Sequence, residues 1–174
     1  MKGSPYLRLP PFDADTKNLN VIIETPKGAR NKYSFDPKLK LFKLKKVLPL
    51  GSAFPFDFGF IPSTCSEDGD PLDVLVLMDE PVFCGCLISA RLIGGIKATQ
   101  TEKGKTERND RLIAVAECQV NLAHVHSLDD LQPHVLEQIE HFFVSYNKEA
   151  GKKFQPEGRI KPGEARKLVK KQTV

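Results

Sequence analysis

Through the first 120 residues the apolar positions come in short runs, and Pro, Gly or Asp interrupts each before a long helix can form. That punctuation restricts this part of the chain to strands and turns. Val21-Ile22-Ile23 reads as a strand closed by Thr25-Pro26-Lys27-Gly28. From Lys38 to Lys45 lysines alternate with apolar residues, and a slip of phase at Leu41-Phe42 predicts a bulge. Phe54, Phe56, Phe58 and Phe60 fall at every second position, as one face of an extended segment requires. Val74 to Met78 is a continuous apolar run, and Leu87 to Ile93 and Leu112 to Val120 are nearly so. Strands spaced in this way predict a small closed barrel.

The pattern then changes period. Val135, Ile139, Phe142 and Tyr146 trace one face of a helix, and Gly151 stands where it should end. A second short helix is predicted from Glu164 to Lys171. The expected fold class is therefore α+β, a barrel with a long C-terminal helix packed beside it. At 174 residues the chain predicts one domain, with residues 1–18 as an N-terminal extension and 152–174 as a basic tail.

Several function classes drop out. The net charge of +4 divides into +7 over residues 1–50, −9 over 51–150 and +6 over 151–174. An acidic middle opposes a phosphate backbone, so no nucleic-acid partner is expected. The longest uncharged run, Cys118 to Leu128, is too short to span a bilayer, so no membrane partner is expected either. The N-terminus has no apolar core of a signal peptide, and Cys65, Cys84, Cys86 and Cys118 have no C-x-x-C spacing. These features predict reduced cysteines and a cytoplasmic location. His124, His126, His134 and His141 form two pairs without a clear third metal ligand.

Chemistry concentrates in Glu67-Asp68-Gly69-Asp70-Pro71-Leu72-Asp73-Val74. Three aspartates this close repel when all are ionised, so a proton or a cation must intervene. Mg²⁺ suits the set, because it takes hard oxygen ligands and keeps waters that a phosphate can replace. An EF-hand loop is excluded, since Asp73 stands where Gly is needed and a strand-like run follows. A solvated acidic turn is the plain alternative. The surroundings favour a polyanion: Glu24 ends the first strand, residues 26–33 are basic and turn-rich, and Lys43, Lys45 and Lys46 follow.

On these residues the chain resembles the soluble (family I) inorganic pyrophosphatases, as a divergent member, and the resemblance implies that the closed barrel is five-stranded and OB-like. The family's Asp-x-Asp-Pro-x-Asp-Val signature is matched by Asp68 to Val74. Val21 to Pro26, Asn31-Lys32-Tyr33, the Phe54 to Ile61 segment and His141 to Tyr146 resemble its other motifs. The resemblance implies Mg²⁺-dependent hydrolysis of pyrophosphate to two phosphates by a metal-activated water, with Mn²⁺ as an alternative cation. It places metal on Asp68, Asp70 and Asp73, with Asp70 also serving the attacking water. Lys32, Lys46, Arg111 and Tyr146 are implied substrate ligands, with Glu24 behind them, and the protein is expected to form a homo-oligomer.

The departures are specific. Ser34 replaces a Glu, Lys46 an Arg, Phe54 and Phe58 two tyrosines, and Asn147 a Lys. Gln100 and Asn109 stand where metal-binding aspartates are expected, with Arg111 for a lysine. The loop between them is longer, which makes Asp110, alongside Glu102, a candidate replacement metal ligand. Two alternatives follow: a weakened protein that binds metal and phosphate or pyrophosphate, or a hydrolase of another phosphoanhydride.

Overall fold

The computed structural model describes Tyr6 and residues 8–174. The other residues of the expected N-terminal extension, 1–5 and 7, lie outside the described set. Among the described residues nine strands and two α-helices follow in the order β1 (Leu19–Thr25), β2 (Asn31–Asp36), β3 (Leu41–Val47), β4 (Asp57–Phe60), β5 (Asp73–Leu77), β6 (Leu87–Glu102), β7 (Lys105–Arg108), β8 (Arg111–Ala116), α1 (Pro133–Glu149), β9 (Lys153–Ile160) and α2 (Pro162–Lys171). The regular elements are thus mostly strands, with two α-helices.

β1 pairs antiparallel with β4, β4 antiparallel with β5, β5 parallel with β8, β8 antiparallel with β6, and β6 antiparallel with β1. These pairings run in a ring, while β7 and β9 extend β6 and the β2–β3 hairpin stands as a separate sheet. β6 serves β1, β8, β9 and β7 in succession along its 16 residues. Such a strand must bend, and its register shifts between Leu92 and Gly94, where Gly94 takes φ 140°. Gly59 allows the close approach of β4 to β1, because a Cβ there would lie 2.1 Å from the Ile22 carbonyl oxygen.

Every residue of β8 is buried, because both faces of the ring are covered. Leu112, Ala114 and Ala116 join one apolar cluster with Val21, Ile23, Val74 and Val76, which α2 completes through Ala165 and Val169. Ile113 and Val115 face the other cluster, where α1 lays down Leu136, Ile139 and Phe143. Each of these large side chains contributes about 1.5–3 kcal/mol by leaving water.

The expected helices are present. α1 begins with Pro133 in its first turn and ends where Gly151, at φ 72°, turns the chain so that the Lys152 amide donates to the Asn147 carbonyl. The phase slip at Leu41-Phe42 has a different origin from the one expected. A turn occupies residues 37–40, with Lys40 at φ 59°, and the strand starts only at Leu41. The bulge lies further on: Lys32 pairs with Lys46 and Tyr33 with Leu44, leaving Lys45 as the extra residue.

Only Asp57–Phe60 of the phenylalanine segment is strand, although Phe54, Phe58 and Phe60 are all buried. Residues 152–174, expected as a basic tail containing a short helix, carry β9 as well as α2, with Phe154, Ile160, Ala165 and Val169 in the core. Among the described residues no helix is long and apolar enough to cross a membrane. All four cysteines are free.

Candidate active site

A cleft of about 710 Å³ lies between the β2–β3 hairpin, the loop before β5 and the C-terminal half of α1. Its acidic wall is the turn that the Asp-Gly-Asp-Pro spacing dictates. Gly69 takes φ 85°, and its amide donates to the Ser66 carbonyl. Oδ1 of Asp68 accepts from the Asp70 amide at 3.1 Å and the Ser66 hydroxyl at 3.2 Å. Pro71 and buried Leu72 then lead the chain into β5, whose first residue is Asp73.

Asp68, Asp70 and Asp73 all line this cleft. Asp70 opens to solvent, yet desolvation by the cleft wall, then the charges of Asp68 and Asp73, hold its carboxyl above the ordinary aspartate range. A cation relieves that repulsion. Among the described residues no three His, Cys, Asp or Glu side chains close into a ligand cluster. Mg²⁺ does not need one, since it takes one or two carboxylates and fills its shell with water and substrate phosphate. The donor set therefore fits Mg²⁺.

The opposite wall is cationic and aromatic. Lys32 is buried, with Nζ 3.0 Å from Glu24 Oε2 and 4.1 Å from the centroid of the Phe58 ring. Glu24 also accepts the Phe35 amide at 2.7 Å. Burial nevertheless raises its carboxyl, Lys32 and the Phe35 amide oppose that shift, and Asp73 adds to it. Phe58, one of the residues expected to lack a tyrosine hydroxyl, thus supplies a ring face to the lysine instead.

Adjacent strand residues normally point to opposite faces. The bulge at Lys45 changes this, and both Lys45 and Lys46 line the cleft. Nζ of Lys46 lies 3.6 Å from the centroid of the Tyr146 ring. Burial, then the charge of Lys152, lowers the Lys46 ammonium below the usual lysine value. Burial, then Asp73, pushes the Tyr146 phenol up to about 12, so it is a hydroxyl donor at neutral pH.

The third side is the corner where Gln100 and Asn109 stand. Asn109 Nδ2 donates to Gln100 Oε1 at 3.1 Å, and Asn109 Oδ1 accepts from Arg111. The same Arg111 nitrogen lies 2.6 Å from Asp73 Oδ2. Arg111 is buried beside the Phe143 and Phe154 rings, and its Nε has no hydrogen-bond partner.

Glu24, Lys32, Lys46, Asp68, Asp70, Asp73, Arg111 and Tyr146 are therefore brought together as expected. Asp110 is not among them. It is buried beneath β6, where Oδ1 accepts the Ala98 amide at 3.1 Å and Oδ2 lies 2.7 Å from Arg108. Its alternation with Asn109 and Arg111 places it on the other face of the chain, so it is corrected from metal ligand to structural anchor. Glu102 is also outside the cleft lining and pairs with Lys152 at 2.8 Å. His134 and His141 line a separate groove of about 590 Å³ along α1.

Lys152 is the cleft residue that sequence reasoning missed. The available signal was the helix-ending Gly151, because the residue after such a turn is held close to the helix end.

A model of the inorganic pyrophosphatase family matches residues 21–174 of the chain. The chain is 44% identical over 128 residues to an inorganic pyrophosphatase of Nostoc sp., covering 74% of this chain and 73% of that one. The crystal structure of an inorganic pyrophosphatase from Thermus thermophilus matches with a TM-score of 0.87 at 34% identity, over 98% of this chain and 97% of the other. That of an inorganic pyrophosphatase from Neisseria gonorrhoeae matches with 0.85 at 33% identity, over 95% of each.

Proposed function

Because this chain belongs to the inorganic pyrophosphatase family, we propose that its cleft hydrolyses pyrophosphate to two phosphates with Mg²⁺ held on the Asp68–Asp73 wall. One observation carries the reading: three carboxylates and a set of convergent cations line the same cleft, which is the charge pattern of a metal-complexed polyanion.

When bound, Mg²⁺ supplies positive charge to phosphate oxygens and makes water acidic enough to attack near neutral pH. Asp68 and Asp73 hold the cation, with Mn²⁺ as an alternative occupant. Asp70 accepts a hydrogen bond from the attacking water and takes its proton. Lys32 and Lys46 hold phosphate oxygens by charge, and Tyr146 donates its phenolic hydrogen. Glu24 orients Lys32 from behind, through the 3.0 Å ion pair. Arg111 keeps Asp73 in place and adds a permanent positive charge. The catalytic effect is positioning plus charge neutralisation.

We read the strand ring as the five-stranded barrel expected from the sequence, and the protein as a homo-oligomer in the cytoplasm. The free cysteines suit a reducing compartment.

The test is phosphate release from pyrophosphate with Mg²⁺, in the wild type and in Asp70→Asn. Turnover that collapses in the variant supports the mechanism. Equal rates remove Asp70 from it, and no turnover by the wild type favours a protein that only binds metal and phosphate.

A further inference from the structure

Lys152 stands on the turn between α1 and β9, fixed by its own amide bond of 2.9 Å to the Asn147 carbonyl. Its side chain lines the cleft, and its charge acts on both Lys46 and Asp70. It therefore sits between the cationic wall and the acidic wall.

The other engaged cations of the cleft have partners built into it. Lys32 is locked to buried Glu24, and Arg111 to Asp73 and Asn109. The partner of Lys152 is different: Glu102 does not line the cleft, and its side chain is 47% exposed. An exposed ion pair is weak and screened by salt, so a polyanion in the cleft can displace it. Asn147 offers no competing contact, because its side chain is buried and donates to the Phe143 carbonyl at 2.8 Å.

We propose that Lys152 is a substrate-binding residue, held in reserve by Glu102 and exchanged onto a phosphate oxygen when pyrophosphate binds. The exchange makes and breaks no covalent bond; the ammonium leaves one anionic oxygen for another. This rests on the pyrophosphate reading above, and it makes a prediction of opposite sign for the two members of the pair. Removing Lys152 weakens substrate binding, whereas removing Glu102 frees Lys152 and strengthens it.

The experiment measures hydrolysis over a range of pyrophosphate concentrations, together with calorimetric binding of inorganic phosphate. It uses the full chain with Mg²⁺, as wild type, Lys152→Gln, Lys152→Arg and Glu102→Gln, with a melting curve for each. Lys152→Gln should raise KM and weaken phosphate binding by about tenfold with kcat little changed, and Lys152→Arg should recover most of the loss. Glu102→Gln should tighten both by about two- to threefold. Unchanged KM and phosphate affinity in Lys152→Gln would overturn the proposal. So would an equal loss in Glu102→Gln, which would make the pair a clasp between β6 and the turn after α1. Should the wild type fail to hydrolyse pyrophosphate, the functional reading falls, and the phosphate-binding arm still decides for or against Lys152.

Discussion

On the loop before β5, Asp68, Asp70 and Asp73 crowd together, and the Asp70 carboxyl is raised by desolvation and its neighbours. Across the same cleft, Gln100 and Asn109 hydrogen-bond to each other, and Asn109 accepts from Arg111. The first region carries excess negative charge that an external cation must balance. The second holds no anion: its two amides are neutral, and its guanidinium is paired with Asp73. Carboxylates raise the affinity of a site for a hard cation and amides do not, so the two walls should differ in their demand for metal.

The comparison can be broken most severely at Asp70. The Asp70→Asn variant should lose about 10²–10⁴-fold in kcat, because the amide cannot take a proton from water. A loss of only a few fold would assign the acidic wall to metal holding alone.

Next in size is the buried support of the cationic wall. Lys32→Gln should cost about 3 kcal/mol in stability, since it leaves Glu24 buried without its ammonium partner. The sign with pH follows from Glu24, whose carboxyl is already raised and rises further without Lys32. In the variant, folding should be best preserved below the usual glutamate range, where the acid is neutral. Stability should fall as pH climbs through the raised value. Chemical denaturation at several pH values checks this, and a pH-independent loss would contradict it.

Tyr146→Phe should lower kcat/KM by about tenfold through one lost hydrogen bond to a charged phosphate. Because the phenol is pushed up to about 12, it stays protonated through the working range, and the shape of the pH–rate profile should not change. Loss of an alkaline limb in the variant would show that Tyr146 titrates.

The smallest effect concerns the amide corner itself. Asn109→Asp adds a carboxylate beside Arg111, whose guanidinium would neutralise it. Mg²⁺ affinity should improve by no more than about threefold, a change that calorimetry can resolve. A gain of a hundredfold would mean that a latent cation site is present.

Much of this was legible in the sequence for physical reasons that can be named. The Asp68–Asp73 turn was visible because Gly69 and Pro71 constrain the backbone locally. The α1 helix was visible because its apolar face repeats every turn. Lys45 was harder, since a strand residue next to Lys46 should face away, and only the pairing of β3 with β2 shows the bulge. β9 was missed because its hydrophobic positions are sparse: only Phe154 and Ile160 of its eight residues are buried, and β6 supplies its order. Asp110 was misassigned because adjacent positions at the start of a strand face opposite ways, and an insertion blurs whether Asn109 or Asp110 points into the cleft.

The most direct measurement is calorimetric binding of Mn²⁺ to the full chain without substrate, comparing Asp73→Asn with Asn109→Ala. We expect Asp73→Asn to weaken cation binding by about tenfold or more, and Asn109→Ala to leave it within about twofold. The reverse order, with the cation lost on Asn109→Ala and retained on Asp73→Asn, would contradict the division of the cleft into a metal-holding acidic wall and a neutral amide one.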